Sequence, residues 1–134
     1  MALKKTQLIG ITSVTGINTV GIFTAGVTNT PVGIASTSYV RSVIMHNTGL
    51  GTARVSLFTN PNTANANALG YGVTANRFLR VDIAPNETTF FESNYPLVLT
   101  HLDSLSVEVG PPDAGGSGIG SAVNFIVNGD TDIQ

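Results

Sequence analysis

Apolar residues in this chain recur at every second position, in short runs broken by Gly, Asn and Pro. Period-two alternation marks a β-strand with one buried face, because successive side chains point to opposite sides of the pleat. Residues 104–109 show it most cleanly, with Leu105, Val107 and Val109 on one side. Residues 122–128 repeat it with Val123, Phe125 and Val127. Residues 77–84 place Leu79, Val81 and Ile83 inward and Phe78, Arg80 and Asp82 outward. Residues 39–47 set Val43 and Met45 on one face and Val40 and Ile44 on the other, and residues 53–59 align Ala53, Val55 and Leu57. The turn Asn47-Thr48-Gly49-Leu50-Gly51 between these two predicts a β-hairpin.

Further strands are expected over 7–14, 21–25, 88–93 and 97–99, with Pro85-Asn86 as a turn. Residues 60–68 and 110–121 are rich in Asn, Gly and Pro and read as loops. Nothing keeps the 3.6-residue period of an amphipathic helix. Seven or eight short strands without helices predict an all-β fold, a single antiparallel β-sandwich spanning 8–128. An N-terminal arm, 1–7, and a loose C-terminal tail, 129–134, flank it. Jelly-roll and Ig-like topologies both remain open, because alternation does not say which strands are neighbours.

The outward faces change the picture. A half-buried strand is polar on its solvent side, yet Ile44 lies opposite Val43 and Met45, Phe58 opposite Val55 and Leu57, and Ile126 opposite Phe125 and Val127. Phe90 and Phe91 are adjacent, so a regular strand sends one to each side. Burying each such side chain contributes roughly 1.5–3 kcal/mol. Either the chain's own loops, such as 26–37 or 60–76, cover these residues, or a neighbouring molecule does. Charge favours the second: only 10% of residues are charged and the net charge is -2, so copies of the chain repel one another weakly. The expected interface is Ile44, Phe58, Phe90, Phe91 and Ile126.

Catalytic chemistry finds little foothold. The only histidines are His46 and His101. His101 stands near Asp103, but no Gly-x-Ser-x-Gly elbow supplies a nucleophile. Asp130-Thr131-Asp132 lacks the rest of a calcium loop. Gly115-Gly116-Ser117-Gly118-Ile119-Gly120 lacks the lysine of a phosphate loop and any following helix. There is no cysteine, and the histidines and carboxylates have no metal-ligand spacing. The reading is therefore a non-enzymatic protein with no cofactor, no catalytic residues and no metal site. The six basic residues are scattered, which argues against nucleic acid as a partner. No apolar run reaches 18 residues, which argues against a membrane helix. A sugar-binding module stays open as an alternative, with Tyr71, Tyr95 and the Asn-rich loop 60–68 as its expected surface.

Residues 39–49, Tyr-Val-Arg-Ser-Val-Ile-Met-His-Asn-Thr-Gly, followed by 53–60, resemble the strand, Asn-Thr-Gly turn and strand of small virion proteins of tailed bacteriophages. Residues 87–109 are similar to a recurring segment of the same proteins. There an apolar pair, here Leu97 and Leu99, precedes a turn and strand, here Leu102-Asp103-Ser104-Leu105-Ser106-Val107. Leu102 stands where a Gly commonly precedes the Asp, and residues 1–37 carry no such motif. The resemblance implies a head-decoration (cement) protein of the virion, or else a neck or tail accessory protein, assembled as a homo-oligomer with a trimer favoured. The implied partners are the major capsid protein or other virion proteins. The implied location is the capsid surface, with the host cytoplasm during assembly. In that setting Lys4 and Lys5 on the arm would meet an acidic coat surface.

Overall fold

The computed structural model describes residues 2–16, 18–25, 36–60, 74–111 and 122–133, of which 2–7, 9, 36, 93 and 133 are described by their backbone. These contain eight strands: β1 (Ala2–Thr15), β2 (Asn18–Thr24), β3 (Ser36–Asn47), β4 (Ala53–Asn60), β5 (Arg77–Ile83), β6 (Thr88–Leu99), β7 (Ser104–Gly110) and β8 (Ala122–Ile133). A 3-10 turn, Thr74–Asn76, precedes β5. Two four-stranded sheets result, in the orders β1-β8-β3-β6 and β2-β7-β4-β5.

Every pairing is antiparallel, and the pattern has one simple description. The pairs β1·β8, β2·β7, β3·β6 and β4·β5 are those of one long hairpin folded at the β4–β5 connection. Rolling that hairpin up brings β3 against β8 and β4 against β7, which closes the two sheets. This is a jelly roll, one of the two topologies left open by the sequence.

The core lies between the sheets. Val43 and Met45 of β3, Val123, Phe125 and Val127 of β8, Val55 and Leu57 of β4, and Leu105, Val107 and Val109 of β7 are all fully buried. These are the residues that the alternation places inward, because a one-residue slip would turn each whole set to solvent. Phe78 and Phe91 meet edge to face, with ring centroids 5.2 Å apart, across the side of the sandwich where β5 and β6 are the sheet edges.

Several expectations are corrected. Residues 39–47 and 53–59 form strands but not a hairpin: β3 and β4 lie in different sheets, and the turn between them is a corner. Asn47, fully buried, builds that corner. Its side-chain amide donates to the carbonyls of Gly51 and Ile83 at 2.9 and 2.8 Å, while its Oδ1 accepts from Gly49 N at 2.8 Å. The turn at Pro85-Asn86 is a second corner, locked to the first by Asn86 N to Asn47 O (2.8 Å) and Asn47 N to Glu87 O (3.0 Å).

The arm and the tail are also strand. β1 begins at Ala2 and β8 runs to Ile133, and the two pair with each other from Ala2↔Ile133 onward. Neither end alternates visibly, but each satisfies the other's backbone hydrogen bonds, which requires no apolar pattern. Asp130 in this stretch is buried, and Arg41 Nε donates to its Oδ2 at 2.6 Å.

Bulges shift two faces. Register jumps between Val40 and Ser42 against both neighbours, so Arg41 is an extra residue and Val40, expected outside, points into the core. Opposite Arg41, β6 carries the unpaired residues 93–96, and Pro96 falls where no ladder donor is needed. In β5 a shift beside Leu57 and Phe58 turns Phe78 toward the core as well as Leu79. The loop readings over 61–68 and 112–121 lie outside the described residues, as does the Gly115–Gly120 run. Among the described residues, no helix is long and apolar enough to cross a membrane.

Candidate functional site

The outer face of the β1-β8-β3-β6 sheet carries the feature that the sequence left unexplained. Ile44 is the register partner of Ile126 on one side and of Phe90 on the other. Residues in register share a face, so the three side chains stand in one row across β8, β3 and β6. The row extends onto β1. Pairing there passes from Ile9↔Val127 to Thr12↔Phe125, which leaves Gly10 and Ile11 opposite Ile126. Ile11 is 70% exposed and Phe90 59%, while Ile44 and Ile126 between them are partly exposed. At about 4.8 Å between strands, the row Ile11, Ile126, Ile44, Phe90 runs roughly 15 Å across the whole sheet.

Polar rows flank it on both sides. One holds Ser13, Asn124, His46 and Thr88, successive register partners, with His46 Nδ1 and Thr88 Oγ1 2.7 Å apart. The other holds Asn128, Ser42 and Glu92, with Asn128 Nδ2 donating to Ser42 Oγ at 3.5 Å. An apolar stripe with hydrogen-bonded polar borders has the layout of an interface, where an apolar centre is sealed by a polar rim.

Of the five residues expected there, the structure brings together Ile44, Phe90 and Ile126. Phe58 is on the opposite side of the sandwich, on the outer face of the second sheet beside its register partner Ser106. It is 2% exposed, and its neighbours Ser56 and Asn60 are buried as well, so at Phe58 the covering comes from the chain itself. Phe91 pairs with Val43 and faces inward against the core, as the adjacency with Phe90 requires. Ile11 was missed, because the Gly-interrupted run over 7–14 assigns no face in the sequence; alternation from buried Val14 sets Ile11 outward. Lys4 and Lys5 pair through their backbones with Thr131 and Asp130; their side chains lie outside the described residues.

Of the groups with possible chemistry, Asp103, His46 and Asp130 are engaged in structure, whereas His101 Nδ1 is buried without a hydrogen-bond partner among the described residues. Asp103 Oδ2 accepts from Thr100 N at 3.1 Å and Thr100 Oγ1 at 2.7 Å, which builds the β6–β7 turn. That turn is docked on the end of β2 by Ala25 N to Asp103 O and Leu102 N to Ala25 O. Leu102 within it has a φ of 71°, the left-handed conformation that favours the Gly of the resembling segment. His46 lies on the outer face and His101 in the turn, on different parts of the fold. Asp130, read as half of a weak calcium motif, is held by Arg41 within a strand. Among the described residues no cluster of three His, Cys, Asp or Glu could hold a metal ion. Tyr95 is 85% exposed on the β6 bulge, while Tyr71 lies outside the described residues.

No protein-family profile matches the chain, and no curated protein matches it.

Proposed function

We propose that this chain is a non-enzymatic structural protein of a virion, a capsid decoration subunit. It assembles with copies of itself through the outer face of the β1-β8-β3-β6 sheet and bridges coat subunits. The observation that carries the reading is the apolar row Ile11, Ile126, Ile44 and Phe90 between two polar rows. Two of its members are largely in water in the single chain, and a partner sheet would remove them from it. Support for a virion comes from the motif-level resemblance and from the architecture, since jelly rolls recur in viral capsid domains. The low charge fits dense packing of identical copies.

Light scattering on purified protein tests the assembly. The wild-type chain is expected to run as a closed oligomer, and the double variant Ile11→Ser with Phe90→Ser as a monomer with an unchanged far-UV spectrum. Both positions are exposed, so the fold does not depend on them. A wild-type chain that stays monomeric at high concentration overturns the reading. The virion assignment has its own test: the protein should add at symmetry-related positions on assembled heads in electron micrographs. Lys4→Glu with Lys5→Glu should weaken that addition without dissociating the oligomer.

A further inference from the structure

At one end of the sandwich β4 finishes, β5 begins and the β6–β7 turn folds over. Between them opens a cleft of about 380 Å3, within the range of small-molecule sites. Phe78 and Val98, from the edge strands of the two sheets, supply apolar walls. Asn60, Asn76, Arg77 and Asp103 bring polar groups to the same space. Two of these are held in place. Asn60, almost wholly buried, donates from Nδ2 to Ser106 Oγ at 2.8 Å and accepts at Oδ1 from Asn76 Nδ2 at 3.5 Å. Asp103 is fixed by Thr100. Arg77 is the one arginine that lines the cleft. Arg41 and Arg54 each hold a carboxylate, whereas the Arg77 guanidinium makes no ion pair or side-chain hydrogen bond among the described residues.

We propose that this cleft binds a sugar acid, a pyranose ring carrying a carboxylate. The planar guanidinium of Arg77 offers paired donors that match the two oxygens of a carboxylate. Ring hydroxyls both donate and accept, which suits the amides of Asn60 and Asn76 and the carboxylate of Asp103. The C–H face of the ring lies against Phe78 and Val98. A bare anion would leave the apolar walls and the amides of Asn60 and Asn76 unused. A neutral sugar would leave Arg77 without a partner. The site goes beyond the assembly reading: it lies at the far end of β6 from Phe90 and does not depend on the apolar row.

The test is a titration of the full chain with glucuronate, followed by backbone amide shifts in NMR. Saturable shifts at residues 60, 76, 77, 78, 98 and 103 are expected, with a dissociation constant in the millimolar range typical of so small a ligand. Arg77→Gln should weaken binding at least tenfold, while Arg80→Gln, an exposed cation outside the cleft, should leave it unchanged. Glucose should bind at least tenfold more weakly than glucuronate, and acetate should fail to displace glucuronate at equal concentration. The proposal is overturned by no saturable shift, by equal binding of glucose or acetate, or by indifference to Arg77→Gln. Light scattering on the same samples keeps this outcome separate from the fate of the assembly reading.

Discussion

Leu102 holds a φ of 71° in a turn fixed by three backbone hydrogen bonds, two to Ala25 and one between Asp103 and Thr100. A side chain with a Cβ is strained there by about 1–2 kcal/mol, and the leucine is partly in water, so it recovers little through burial. Leu102→Gly should therefore stabilise the protein by about 1 kcal/mol, read as a higher urea midpoint with an unchanged slope. Asn86, at a φ of 64°, shows the cheaper solution, a residue type that tolerates this region. Gly129 has the opposite sensitivity. A Cβ there would overlap the backbone carbonyl of Tyr39 on β3, which neither strand can move aside. Gly129→Ala should cost about 1–3 kcal/mol in the same measurement. The sequence hinted at the first position through the Leu where the resembling segment has Gly. It concealed the second, because Gly129 reads as the start of a tail.

Strand faces were legible wherever the backbone is regular, as at Val43 and Met45, at Leu105 to Val109 and at Val123 to Val127, because a buried face enforces the period of two. Legibility failed at bulges. Val40 and Phe78 each sit beside a register shift that exchanges outside for inside without a change of residue type. It failed again at the corner after Asn47, since a turn of the right composition does not reveal whether the chain reverses within a sheet or crosses to the other. One interaction between neighbouring strands has a pH signature. Arg54 grips Asp82 across β4 and β5 with Nε to Oδ1 at 2.7 Å and Nη2 to Oδ2 at 3.0 Å. Those hydrogen bonds, helped by the charges of Arg54 and Arg80 and opposed by partial burial, hold the Asp82 carboxyl below its ordinary range. A folded-state value below the unfolded one stabilises above about pH 4 and is lost as pH falls through it. Asp82→Asn should therefore flatten the decline in stability between pH 5 and 3. The effect should be no more than about 1 kcal/mol, because the pair is substantially exposed.

At the scale of the whole molecule, the choice between jelly roll and Ig-like sandwich rested on which distant strands pair, and no local pattern carries that information. The apolar row shares this property. Its members come from both ends and the middle of the chain, and they become one surface only when β1, β8, β3 and β6 are all in register. The same wrapping sets an order of events. Of the hydrogen-bonded pairs, β4 and β5 are the closest along the chain, while β1 and β8 join Ala2 to Ile133, and closing the longer loop is the slower step. Pulse-labelled hydrogen exchange during refolding should show protection at β4 and β5 first and at β1 and β8 last; simultaneous protection would refute this order. Ile11 and Ile126 belong to the late pair, so a half-made chain offers its siblings only Ile44 and Phe90. In the proposed assembly, the full adhesive row of four would therefore be present only on a finished copy.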